Sequence, residues 1–314
     1  MNVLGKLMRN PPLLTLILVV AVLVIASLTL RGFGSYGHLR YIMELAAVIG
    51  IVAAGQTLVI LMGGIDLSAG AIMTVTAIML PLLSPAFDPT GLIGIVVILA
   101  IATLIGFLNG AGAAWLGVPP IIMTLAMATF LQGLLVIVAG GSAVSVTNAA
   151  VIWLGQGRLF GISASVILWA VVSVAVIVLI HRMPIGGRFL ALGANPVAAQ
   201  LSGVSVTRHT LIVFALSGFF AGVAGILILG MNRQGYVGIG EPYVLTSIAA
   251  VVLGGTSILG GRGTYAGTIP GAILLVTTTA LITVVNASAG WRSIMFGTLI
   301  LGLLLISGRE ARSR

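Results

Sequence analysis

Side chains able to do acid–base, nucleophilic or metal chemistry are scarce in this chain. Five acids (Glu44, Asp66, Asp88, Glu241 and Glu310), one lysine (Lys6) and three histidines (His38, His181 and His209) are spread over 314 residues, with no cysteine. The lack of cysteine removes a disulfide framework, a thiolate nucleophile and any iron–sulfur or zinc–cysteine site. The histidines are scattered and no pair has metal-ligand spacing. Lys6 follows no glycine-rich loop, so there is no phosphate cradle of the P-loop kind. The string Gly261-Arg262-Gly263-Thr264-Tyr265-Ala266-Gly267 is superficially like a dinucleotide loop, yet no strand–helix–strand context surrounds it. No nucleophile sits beside a base as a membrane hydrolase would need. Only Glu44 and Asp66 could bring a carboxylate near an apolar stretch, and both fall near its ends. Proton- or sodium-driven transport therefore lacks its usual equipment.

The elements that must position these residues follow from composition. The chain is 60% hydrophobic and 6% charged, with 43 glycines, whereas about a quarter of a soluble domain is charged. It reads as an integral membrane protein. At roughly 20 apolar residues per helix, it has room for about ten spans and no sizeable soluble domain, so residues 1–314 form a single transmembrane domain. Runs such as Leu13 to Leu30 are apolar on every side, which excludes a porin-like barrel. The class is all-α and polytopic, with spans expected near 12–30, 42–62, 67–84, 91–112, 120–140, 161–181, 210–230, 243–259, 265–286 and 291–307. The first run is longer than a signal-peptide core and lacks a small-x-small cleavage site, so it counts as a span.

The formal charge of +9 would suggest nucleic acid in a soluble protein, but membrane proteins concentrate Lys and Arg in cytoplasmic loops. With a cytoplasmic N-terminus, Lys6, Arg9, Arg182, Arg188, Arg208, Arg262, Arg309, Arg312 and Arg314 lie inside. Arg31, Arg40, Arg158, Arg233 and Arg292 then lie outside. The excess favours both termini in the cytoplasm, with no nucleic-acid partner.

Two connecting segments exceed a simple turn. The outer one, 140–160, mixes polar residues with Val151, Ile152 and Trp153 and suggests a short interfacial helix. The inner one, 182–209, contains Asn195 as an N-cap, Pro196 at the first helical position and Gly203 placed to end a helix in the left-handed region. Val197 and Leu201 share a face. So short a helix must be held by packing, either as a connector on its own protein or as a docking element for a partner.

Glycines four apart, Gly106/Gly110, Gly218/Gly222, Gly263/Gly267 and Gly267/Gly271, read as helix-packing faces. Gly63-Gly64 with Gly70 and Gly260-Gly261 with Gly267 repeat one spacing, an echo that a glycine-rich chain can produce by chance.

The segment from Gln56 through Met62-Gly63-Gly64-Ile65-Asp66-Leu67-Ser68-Ala69-Gly70 resembles the signature of ribose-type permease subunits of bacterial ABC sugar importers. Val118-Pro119-Pro120 through Leu125 is similar to that family's Pro-initiated fifth helix, and Gly187-Arg188 with Ala191 to Val204 to its cytoplasmic loop. Ser217-Gly218 through Ile226 and Ile248 to Thr256 complete five ordered motifs over about 200 residues. At Tyr243-Val244-Leu245-Thr246 the chain departs from relatives that carry an acidic pair around the leucine.

The resemblance implies a fold similar to the transmembrane subunits of vitamin B12-type importers, in a bacterial inner membrane. It implies a second permease subunit, identical or homologous, two cytoplasmic ABC ATPase subunits using ATP and Mg, and a periplasmic sugar-binding protein. By analogy Asn195 to Ser202 is the coupling helix, so Arg188, Asn195, Pro196, Val197, Gln200, Leu201 and Gly203 would face the ATPase. Gln56, Gly63, Gly64, Asp66, Asn109, Thr124 and Gln132 are the candidate substrate pathway, and Asn232, Arg233 and Glu241 the candidate binding-protein docking surface. Asp66 reads equally as a cap for the next helix, and the uncharged polar residues as interhelical hydrogen-bond partners contributing about 1 kcal/mol each. A nucleoside or amino-acid ABC permease is the nearest rival. A stand-alone secondary transporter is disfavoured by the missing intramembrane charge.

Overall fold

The computed structural model describes residues 11–87 and 92–284, with isolated positions 290, 294 and 298 beyond. The expected span at 291–307, apart from positions 294 and 298, and the charges at Lys6, Arg9, Asp88, Arg292, Arg309, Glu310, Arg312 and Arg314 lie outside the described residues. In chain order the helices are α1 (Pro11–Thr29), α2 (Tyr36–Leu61), α3 (Ala69–Phe87), α4 (Leu92–Trp115) and α5 (Pro120–Ala139). They continue as α6 (Ala149–Gln156), α7 (Ala164–His181), α8 (Pro184–Ala194), α9 (Pro196–Leu201), α10 (Val206–Asn232), α11 (Glu241–Leu253) and α12 (Tyr265–Val284). Four two-residue strands, β1 (Val144–Ser145), β2 (Arg158–Leu159), β3 (Ile162–Ser163) and β4 (Gln234–Gly235), pair antiparallel as β1 with β4 and β2 with β3.

Seven of these helices, α1, α2, α4, α5, α7, α10 and α12, are long and apolar enough to cross a membrane. Two more are apolar but short: α3 over Ala69–Leu83 and α11 over Glu241–Leu253. The span expected at 243–259 is thereby corrected. Its 13 helical residues rise only about 20 Å, less than a hydrocarbon core of roughly 30 Å. Beyond Leu253 the chain turns through Gly255, Gly260 and Gly261, all at positive φ, which no helix accepts.

At the centre is α2, buried without a break from Ala46 to Leu61. Helix α10 packs on α2, α3 and α4, and α12 on α1, α2 and α11. The glycine pairs explain how close these approaches are. A Cβ on Gly106 of α4 would stand 2.2 Å from the Phe214 carbonyl oxygen of α10, and one on Gly218 would meet the Ala102 carbonyl at 2.3 Å. Gly267 and Gly271 of α12 do the same against Gly254 and Ala250. Such contacts gain dispersion energy where no hydrophobic effect drives helices together. Gly263 is not part of a packing face; it sits in the turn before α12, against Thr256.

Polar bonds tie the core helices. The Trp169 indole N–H donates to the Tyr265 hydroxyl at 2.9 Å, which donates in turn to the Gly50 carbonyl at 2.7 Å, all buried. Tyr265→Phe strands the indole N–H and removes one of the two donors to that helical carbonyl. The expected cost is about 1–3 kcal/mol, read as a lower Tm of the detergent-solubilised protein.

Segments expected on one side of the membrane meet each other. On the outer side β1 pairs with β4, and the Tyr36 hydroxyl donates to the Gly161 carbonyl. On the inner side His181 Nε2 bonds the Thr264 hydroxyl, and the Gly261 N–H bonds the Leu61 carbonyl at 2.9 Å.

Candidate functional site

The break between α2 and α3 carries the densest polar cluster among the described residues. Helix α2 ends in a turn in which the Gly63 and Gly64 N–H groups bond the Ile60 and Val59 carbonyls, Gly63 having φ 81°. An irregular segment then leads to Asp66, which is fully buried. One carboxylate oxygen accepts from the Ser68 N–H at 2.9 Å and the Ser68 hydroxyl at 2.6 Å; the other accepts from the Ser217 hydroxyl of α10 at 2.6 Å. The Asn109 amide of α4 donates to Ser68 at 2.7 Å. Thr124 of α5 accepts from the Leu67 N–H and donates to the Ile65 carbonyl. Backbone away from a helix survives at membrane depth only where protein or water satisfies it, and these side chains satisfy it.

The structure therefore unites Asp66, Asn109 and Thr124 and closes the Asp66 carboxylate off from solvent in this conformation. Ser68 and Ser217 are partners that sequence reasoning missed; both stand inside the quoted motifs, and hydroxyls on small-residue faces were the available signal. Gln56 is buried nearby in α2 with neither end of its amide hydrogen-bonded among the described residues. Gly64 is buried and Gly63 exposed. They border a small cavity with Val59, Met62, Pro120, Thr210, Val213 and Phe214. Gln132 stands apart from this cluster, with its amide donating to Glu241 at 3.0 Å.

In the inner segment the expected short helix is present as α9. The Asn195 side chain accepts from the Ala198 N–H at 3.0 Å, Pro196 occupies the first turn, and Gly203 has φ 82°. Val197 and Leu201 are 68% and 86% exposed, while only Ala199 of this helix is buried. The apolar face thus points away from the rest of the chain. Arg188 and Gln200 are also exposed. A second inner helix, α8, was not expected. Pro184 at its first turn and the spacing of Ile185, Phe189 and Leu192 were the signals; Phe189 and Leu192 are buried. Asn195 both ends α8, through its N–H to the Ala191 carbonyl, and begins α9.

On the outer side the expected interfacial helix is α6, capped by Asn148. Arg233 donates through two nitrogens to the Gln156 side-chain oxygen of α6, at 3.1 and 2.9 Å. Asn232 beside it is exposed. Glu241 is separated from these two. The chain after β4 descends along α3, with the Gly240 N–H bonded to the Thr74 hydroxyl at 3.1 Å.

A buried α2 core and long apolar helices joined by glycine contacts define a multi-pass membrane protein. Residues 38–304 match the family described as branched-chain amino acid transport system/permease component. The chain belongs to this family, as a ribose-type ABC permease subunit. Ribose import permease protein RbsC of Escherichia coli strain K12 is 32% identical over 308 residues, covering 97% of this chain and 95% of the relative. Fructose import permease protein FrcC of Rhizobium meliloti is 30% identical over 302 residues, covering 93% and 84%. Autoinducer 2 import system permease protein LsrC of Escherichia coli O9:H4 strain HS is 30% identical over 303 residues, covering 96% and 88%. No solved structure matches the chain.

Proposed function

We propose that this chain forms half of the pathway of a binding-protein-dependent importer for a monosaccharide or related small polyol, in the bacterial inner membrane. Two such chains, identical or homologous, flank the pathway. Each crosses the membrane ten times, one crossing being made by the short α11 and the chain that leads into it, with cytoplasmic termini and an architecture similar to vitamin B12-type importers. Sugar names recur among relatives aligned over nearly the whole chain, which favours sugars over the amino acids of the family description. Energy comes from two separate ATPase subunits that bind ATP and Mg; this chain has no site of its own for either. The solute is delivered by a periplasmic binding protein docking near Asn232 and Arg233. ATP binding closes the ATPase dimer, α9 moves with it, and the permease halves rotate to open or close the pathway.

The observation that carries this reading is the outward apolar face of α9. A helix of six residues is unstable alone, and Val197 and Leu201 are 68% and 86% exposed, with no cover among the described residues. A groove on the ATPase supplies that cover, with Arg188 placed to meet acidic groups. Gln56, Gly63, Gly64, Asp66, Asn109, Thr124 and Gln132 remain the residues assigned to the pathway or its support. Replacing Asn195 to Ser202 by a Gly/Ser linker should abolish co-purification of the ATPase subunit while membrane insertion stays normal. Unchanged association would remove the docking role.

A further inference from the structure

Glu241 stands inward of the outer helix ends, alongside the apolar length of α5, where a carboxylate facing lipid is costly. Two independent rulers give that depth. On α5, its partner Gln132 lies seven residues before the outer end at Ala139, about 10 Å inward at 1.5 Å per residue. On α10, Gly225 meets the Met73 carbonyl of α3, whose side chain packs on Gly240, and Gly225 lies seven residues before Asn232. That again places the start of α11 about 10 Å below the outer end.

At this depth Glu241 is exposed in the protomer, and no cation among the described residues pairs with it, Arg40 with Glu44 being the one ion pair among them. A charged side chain within the hydrocarbon region faces a bundle interior or a water-filled cavity, because facing acyl chains costs several kcal/mol. The side of the protomer bearing Glu241 therefore does not meet lipid. Its neighbours fit a wetted wall. Leu125, Thr129 and Gln132 follow one another at helical spacing on α5, and exposed Leu245 lies one turn beyond Glu241 on α11. Phe130, 65% exposed, points to the opposite side of α5.

We propose that Glu241 and Gln132 form a polar patch on the wall of the conduit, where they hydrogen-bond the hydroxyls of a neutral polyhydroxy solute as it passes. This rests on the transport reading above and assigns Glu241 to the pathway, apart from the outer docking surface. The carboxylate accepts from solute hydroxyls, and the amide both donates and accepts. Leu125 and Leu245 offer apolar surface to the C–H faces of a sugar ring. A fixed negative charge also discriminates against phosphorylated or carboxylated analogues by repulsion.

The absence of native cysteine makes single-cysteine reporters clean. In the reconstituted importer, Glu241→Cys and Gln132→Cys should react with a membrane-impermeant thiol reagent, Phe130→Cys should not, and the adduct at 241 should stop uptake of labelled ribose. Glu241→Gln, which keeps the shape, should raise the apparent KM for ribose roughly tenfold, as expected for one charged hydrogen bond. Reactivity at 241 no greater than at 130 would overturn the wall assignment. Reactivity with uptake untouched by the adduct would place the patch outside the pathway and overturn it equally. Failure of the unmodified importer to take up ribose or fructose would overturn the sugar reading instead, with the labelling pattern still deciding the wall.

Discussion

Gly193→Ala should leave no stably folded protein in the membrane, whereas Gly187→Ala on the same helix should be recovered at the normal level. A Cβ at Gly193 would stand 1.8 Å from the Leu61 carbonyl oxygen and 2.5 Å from the Gly261 nitrogen, while one at Gly187 meets nothing within 4 Å. The obstructing atoms are backbone, so no side chain can swing aside, and they are the two partners of the Gly261-to-Leu61 hydrogen bond. Forcing a methyl between them separates α8 from the turns that follow α2 and α11. The expected loss is on the order of 4 kcal/mol or more, the range of severe overpacking. Recovery of a monodisperse peak in size-exclusion chromatography checks it.

The same junction explains how motion at α9 can reach the membrane. Asn195 links α9 to α8 without an intervening loop, and Gly193, two residues earlier, touches both broken segments at once. The repeated glycine spacing at Gly63-Gly64 and Gly260-Gly261 thus acquires a physical meaning. A Cβ at Gly260 would fall 2.8 Å from the Gly63 nitrogen, so the two turns abut and only glycine fits.

Asp66→Ala should be nearly as damaging. It removes the acceptor for the Ser68 N–H, the Ser68 hydroxyl and the Ser217 hydroxyl at once, and each stranded buried donor costs about 1–3 kcal/mol. The expected sum is at least ~3 kcal/mol, read as a large drop in Tm in detergent. Asp66→Asn keeps one oxygen for Ser68 and offers Ser217 an amide, so assembly with the partner subunits and sugar uptake should both persist. Loss of uptake in a fully assembled complex would contradict the capping account and assign the charge to the pathway.

Legibility followed the range of the governing interactions. The caps of α9 were readable residue by residue, because Asn195, Pro196 and Gly203 act within one turn of themselves. The α6 helix and most spans were readable because apolar length alone decides them. The shortness of α11 was not, since Val251 to Leu259 is apolar on average and hydropathy counts residue types without registering a turn built from Gly255, Gly260 and Gly261. Helix α8 was hidden by three glycines, which lower helix propensity, although Gly186 and Gly193 are there for close approach. The bond from Ser217 to Asp66 spans 151 residues, and no local rule pairs them. Glu241 was readable as an outer-loop acid only while α11 was taken for a full span.

The central claim is that this permease is driven from outside its own chain, through α9. Proteoliposomes containing two copies, the partner ATPase and the binding protein should accumulate labelled ribose only with ATP and Mg present, and omitting the ATPase should reduce uptake to background. Uptake that persists without the ATPase, driven by a proton or sodium gradient, would contradict it.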